Sequence, residues 1–126
     1  LVPGSHGSTF GGNALATAAA CAVLQTIHAE GLLDHVTAMG ERLRAGLTTL
    51  AEKQPRIRTV RGLGLLVGVD LAVEAASVVT ACAHRGLLIN NVRPQTLRLA
   101  PPLVVTADDV DAALGLLADA LASVPE

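Results

Sequence analysis

The sequence predicts an α/β (α+β) fold, a short and largely antiparallel sheet covered by helices. Three observations carry this. The first half of the chain has apolar residues at helical spacing, and the pattern switches to period two after Pro55. The runs of period two are short and bounded by glycine or proline, as strands are. Helical patterns then alternate with pairs of such strands, which is the order of a layered domain and not of a bundle.

The elements follow in order. Asn13 is a helix N-cap residue type, and residues 14–29 are rich in strong helix formers. Leu15, Ala18, Ala19, Ala22, Val23 and Ile27 form its apolar stripe, and Gly31 stops it. A second helix, from about Leu32 to Lys53, carries Leu32, Val36, Met39, Leu43, Leu47 and Leu50 inward. Pro55 ends it. Arg56 to Arg61 reads as a strand. A second strand follows in which Leu65, Val67, Val69 and Leu71 alternate with Leu66, Gly68 and Asp70, with Gly62 and Gly64 marking a turn or bulge between the two. Glu74 to Arg85 is helical, with Val78, Val79 and Cys82 inward. Leu87 to Asn90 and Thr96 to Leu99 are two short strands. Thr106 with Asp109 three residues on is a capping-box start, and the last helix turns Val110, Ala113, Leu114, Leu117 and Leu121 to one face.

Composition narrows the function. At 126 residues and 51% apolar content the chain fits one domain with a core of its own. One Phe, with no Tyr or Trp, leaves nothing to stack nucleic-acid bases, and a net charge of -2 with scattered arginines is no nucleic-acid surface. No apolar run approaches the length of a membrane span, and no signal peptide is visible. Cys21 and Cys82 sit far apart within apolar helical patterns and read as buried free thiols of an intracellular, cytoplasmic protein. With no initiator Met and a Pro-Gly opening, the chain reads as a piece of something longer.

Three segments carry candidate chemistry. HGSTFGGN, residues 6–13, brings Gly7, Gly11, Gly12, Ser8 and Thr9 to the mouth of the first helix. Bare glycine backbone, two hydroxyls and the positive end of a helix suit a phosphate or carboxylate. The same residues also suit a plain helix-entry turn capped by Asn13, and spacing alone leaves both open. RGLGLLVG, residues 61–68, lies near the dinucleotide fingerprint, but it is followed by a strand pattern where the fingerprint needs a helix. TLRLAPPL, residues 96–103, sets Arg98 between Leu97 and Leu99, so its guanidinium points away from the leucines. If that face lines a cleft, the planar fork can clamp a carboxylate; otherwise Arg98 is an ordinary surface arginine. His6, His28, His35 and His84 show no metal-ligand spacing, so no metal is expected. Ser8 lacks a nucleophile-elbow context.

PGSHGSTFGGN, VRGLGLLVGVDL, and GLLIN followed by TLRLAPPLVVT together, in this order and over nearly the whole chain, resemble the C-terminal part of class III (ornithine-type) aminotransferases. These are pyridoxal 5'-phosphate (PLP) enzymes of fold type I. Phe10 and the Leu-Arg-Leu form of the last motif are most similar to the bacterial acetylornithine branch, with ornithine and 4-aminobutyrate aminotransferases next. The resemblance implies the C-terminal small domain of that fold. Residues 1–12 would be the cofactor-phosphate loop from the large-domain boundary, 13–30 a connecting helix and 31–126 the small domain. It implies that Thr9 binds the phosphate of PLP in trans across a homodimer, that Ser8 contacts substrate, and that Arg98 binds the α-carboxylate of the amino donor or of 2-oxoglutarate. For the acetylornithine branch the donor is N-acetylornithine and the pathway arginine biosynthesis. Ala14 departs from the proline that the family usually has there; alanine is also acceptable at a first helical position.

The resemblance also implies an absence. PLP chemistry needs a lysine, and in the family the Schiff-base lysine lies upstream of the HGST motif, with the aspartate facing the pyridine nitrogen and the stacking aromatic. Lys53, the one lysine here, sits in a Glu-Lys-Gln segment that reads as solvated. No catalytic residue is therefore expected in this chain, and the chain alone is expected to be inactive. Two other readings use the same residues, a non-catalytic interaction module that reuses this domain and a small phosphate-binding protein.

Overall fold

The computed structural model describes residues 2–4 and 7–125. It divides into two compact units, residues 1–33 and 34–126.

In the first unit, helix α1 spans Ala14–Ala29. Asn13 caps it as expected, its side chain accepting from the Ala16 amide at 3.0 Å. Gly31, at φ +62°, ends the turn after the C-cap Glu30. The apolar stripe read from the sequence is present but is not a core, because no residue of α1 is buried. Leu15, Val23 and Leu24 all face outward, Leu15 at 82% exposure. Cys21 corrects an expectation for the same reason. It is exposed, because helical spacing shows which residues share a face but not whether anything covers that face.

The second unit holds the core. Helix α2 runs Leu32–Lys53, α3 Ala75–Ala83 and α4 Ala107–Ser123. The strands are β1 (Ile57–Leu63), β2 (Leu66–Leu71), β3 (Asn90–Arg93) and β4 (Thr96–Leu99). They form one sheet in the order β1-β2-β4-β3, with every neighbouring pair antiparallel. This is the expected mixed fold with an antiparallel layer.

The inner face of the sheet presents Ile57, Val67, Val69, Leu71, Leu97 and Leu99, all buried. They join Leu43 and Leu47 of α2, Val78 and Cys82 of α3, and Val110, Leu117 and Leu121 of α4 in one core. Burial pushes the Cys82 thiol up from its ordinary pKa. Between α2 and α4 the fit is close enough that a Cβ on Gly46 would lie 2.2 Å from Leu114 Cδ1. Arg42 of α2 pairs with Asp111 of α4 through two hydrogen bonds of 2.8 and 2.6 Å. His35 bonds through Nε2 to the Val105 carbonyl at 2.8 Å, which gives this histidine a structural use.

The strand boundaries differ from the sequence reading in two places. β1 runs on through Gly62 and Leu63, so the β1–β2 turn is confined to Gly64 and Leu65. Gly62 continues the strand because β2 crosses directly beside it, where a Cβ would lie 2.3 Å from the Leu66 carbonyl oxygen. The third strand is Asn90–Arg93 and not Leu87–Asn90. Leu87, Leu88 and Ile89 instead line a cavity of about 220 Å³ with Leu43, Leu99 and Val105. The strand's own residues are all exposed, and ladder pairing at the sheet edge holds them, not burial.

Candidate substrate and cofactor-contact site

The candidate residues fall in both units. Ser8 and Thr9 belong to the first and Arg98 to the second, so each group is described within its own unit.

The loop before α1 is shaped by its own side chains. Asn13 Nδ2 donates to the Phe10 carbonyl at 2.6 Å, closing the turn over Gly11 and Gly12, and Gly12 takes φ +76°. Ser8 folds back on this turn, so that a Cβ on Gly11 would lie 3.0 Å from Ser8 Cβ and 3.1 Å from its Oγ. Thr9 is exposed, and its hydroxyl has no partner among the described residues. The Asn13 side chain satisfies only one of the first-turn amides; those of Ala14 and Leu15 have no partner among the described residues. A free hydroxyl beside the positive end of a sixteen-residue helix fits a phosphate contact. His6, at the head of the motif, lies outside the described residues.

Arg98 stands on β4 between Leu97 and Leu99, which are buried, and is itself exposed on the outer face of the sheet, as the alternation predicts. Its Nε donates to Asn90 Oδ1 on β3 at 3.2 Å. Its terminal nitrogens have no partner among the described residues. The guanidinium is thus fixed along one edge and open along the other, the arrangement a two-point carboxylate contact requires.

The outer face has a second group that the sequence reading passed over. Asp70 on β2 accepts from Arg61 on β1 and from Thr96 Oγ1 on β4, the latter at 2.7 Å. Arg61, and then the Thr96 hydroxyl, hold the Asp70 carboxyl below the usual carboxylate range. Asn90 was missed as well. The signal for both was the antiparallel register, which sets Asp70 opposite Thr96 and Arg98 opposite Asn90.

Lys53 is the last residue of α2 and is exposed, as expected of a solvated lysine. The residues present therefore fit a phosphate contact and a carboxylate contact, and none of the described residues fits covalent attachment of PLP. No group of three His, Cys, Asp or Glu among the described residues is placed to hold a metal ion. No helix among them is long and apolar enough to cross a membrane.

The sequence and the fold both have counterparts among known proteins. Acetylornithine aminotransferase from Caldanaerobacter subterraneus is 45% identical over 123 residues, covering 97% of this chain and 31% of the relative. The crystal structure of acetylornithine aminotransferase from Elizabethkingia anophelis superposes with a TM-score of 0.86 at 32% identity, covering 98% of this chain and 34% of that one. Ornithine aminotransferase from Toxoplasma gondii gives 0.84 at 35% identity, covering 98% and 30%. The chain thus spans about a third of the length of the relatives it matches. The family described as Aminotransferase class-III matches residues 1–121. Motifs, sheet and family match agree over nearly the same residues, and the chain belongs to the class III aminotransferases.

Proposed function

We propose that this chain is the small-domain portion of a PLP-dependent acetylornithine aminotransferase. Residues 1–12 are its cofactor-phosphate loop, 13–30 its connecting helix and 31–126 its C-terminal small domain. The whole enzyme moves an amino group from N-acetylornithine to 2-oxoglutarate in arginine biosynthesis, as a cytoplasmic homodimer. The observation that carries this reading is Arg98, a guanidinium braced by Asn90 along one edge and open along the other, in a chain 45% identical to an acetylornithine aminotransferase.

Bound PLP supplies the electron sink for the transfer. The work of this chain is to bind and orient. Thr9 donates its hydroxyl to the cofactor phosphate of the neighbouring subunit, and the amino end of α1 adds its dipole. Ser8 lies against the substrate. Arg98 holds the α-carboxylate of the amino donor or of 2-oxoglutarate, which limits the orientations that the bound substrate can take.

The test is amino transfer by the full-length enzyme, with N-acetylornithine, ornithine and 4-aminobutyrate as competing donors and 2-oxoglutarate as acceptor. The highest kcat/KM is expected for N-acetylornithine. The isolated chain is expected to show no turnover and no borohydride-trapped stoichiometric PLP adduct. A stronger preference for ornithine or 4-aminobutyrate would reassign the donor. No transfer from any donor by the full-length protein would leave the non-catalytic module.

A further inference from the structure

A glycine inside a central strand weakens it, because it packs nothing and gives up the most conformational freedom on folding. Such a residue needs a reason. At two other glycines of this unit the reason is contact: a Cβ on Gly40 would lie 2.2 Å from the Gly64 carbonyl oxygen, and one on Gly62 would lie 2.3 Å from that of Leu66. Gly68 has no such reason. It sits in the middle of β2, between β1 and β4, and its φ is not positive. A Cβ there would meet only the Arg61 side chain, at 3.8 Å, which is ordinary van der Waals contact. The fold would accept alanine at this position, and alanine would strengthen the strand. In a strand interior, close approach of a ligand is one physical cause of a glycine that neither backbone conformation nor packing requires.

The neighbours of Gly68 indicate which ligand. Its cross-strand partners on the outer face are Arg61 and Arg98. Arg61 is neutralised by Asp70, which Thr96 also holds. Among the described residues Arg98 has no ion pair, and its terminal nitrogens have no partner. The row therefore offers one uncompensated cation beside a strip of bare backbone, with the stem of Arg61 as the far wall. That is a site for a single flat anion.

We propose that Gly68 is a specificity-determining position, the floor on which the carboxylate gripped by Arg98 lies. The inference rests on the role of Arg98 proposed above. A carboxylate bound two-point to a guanidinium must lie in the guanidinium plane. A methyl group rising from residue 68 would stand between the two arginines and tilt the carboxylate out of that plane. Asp70 keeps Arg61 from competing for it, so the carboxylate has one anchor and one orientation.

The experiment compares wild type, Gly68→Ala and Arg98→Lys in the full-length enzyme. It measures KM for both substrates, kcat, melting temperature and the inhibition constant of glutarate, a dicarboxylate that cannot react. For Gly68→Ala, KM and the glutarate constant are expected to rise by about tenfold to a hundredfold, the scale of one lost hydrogen bond between charged groups. Its melting temperature should equal or exceed that of wild type, which a purely structural role for the glycine would not allow. Unchanged KM and glutarate binding would overturn the proposal, and so would failure of Gly68→Ala to fold. If Arg98→Lys weakens glutarate and Gly68→Ala does not, only the Gly68 inference fails. If both variants bind glutarate as wild type does, the Arg98 reading fails with it.

Discussion

Thr9 and Arg98 both present an open donor, and each makes a different prediction. Thr9→Ala removes a hydroxyl that meets a charged phosphate in the proposed dimer. Cofactor binding should weaken by roughly 1–3 kcal/mol, the range for a hydrogen bond to a charged group. Because the contact is in trans, titrating PLP into dilute monomer should show no difference from wild type. Equal affinities in the dimer would remove the phosphate role. Arg98→Lys keeps the charge and loses the planar fork. Both half-reactions should slow in stopped-flow measurements, with cofactor affinity unchanged; rates equal to wild type would make Arg98 a plain surface arginine. The orientation of Arg98 was legible in Leu-Arg-Leu, since alternation alone turns it from the core. Its brace was not, because Asn90 lies eight residues away and meets it only through the register of β3 on β4. The cysteines separate along the same line. Cys82 is buried with its thiol pKa raised, and Cys21 is exposed. In the isolated chain at neutral pH, a chromogenic disulfide reagent should titrate one thiol, and the second only after denaturation. Two fast thiols in the folded chain would contradict the packing of α3.

Helix α4 begins with the capping box that Thr106 and Asp109 suggested. Thr106 Oγ1 accepts from the Asp109 amide at 3.2 Å, and the Asp109 carboxylate accepts from the Thr106 amide at 3.0 Å. Thr106→Ala should cost about 1 kcal/mol of stability, the usual loss for a cap, read as a lower denaturation midpoint at unchanged slope. The box also carries a pH signature. The Thr106 hydroxyl, then its amide, hold the Asp109 carboxyl below its ordinary range. A depressed carboxylate contributes stability above its unfolded pKa and loses it as pH falls through the folded value. The stability gap between wild type and Thr106→Ala should therefore narrow in acid; a gap independent of pH would mean the carboxylate is not part of the cap. This start was readable because a cap is a local signal three residues long. β3 was not readable, because Asn-Asn-Val-Arg carries no strand pattern and the neighbouring Leu-Leu-Ile run carries a strong one. That apolar run is spent on the cavity beside Leu43 and Val105, while the strand exists through its partner β4.

Of the two units, the larger encloses a core and the smaller does not. Residues 34–126 enclose a core, and α1 has no buried residue, with Phe10 81%, Leu15 82% and Leu24 67% exposed. The stripe of α1 was legible in the sequence. What covers it was not, because a stripe is also written for surfaces that lie on another part of the protein. The isolated chain should therefore self-associate through α1 and bind a hydrophobic dye. Sedimentation over a concentration series should show mass rising with concentration, and a monomer at all concentrations without dye binding would mean that α1 needs no partner. Among the described residues, the order β1-β2-β4-β3 leaves each outermost strand with one row of amides and carbonyls that no other strand pairs. Such rows are templates on which a foreign strand can crystallise into a fibril. β3 is four residues long and irregular between Asn91 and Arg93, too short to seed much growth. β1 is seven residues long and ends on Leu63, 87% exposed, so it is the hazardous border. Its defences are the irregularity between Ile57 and Thr59 and the charge of Arg58.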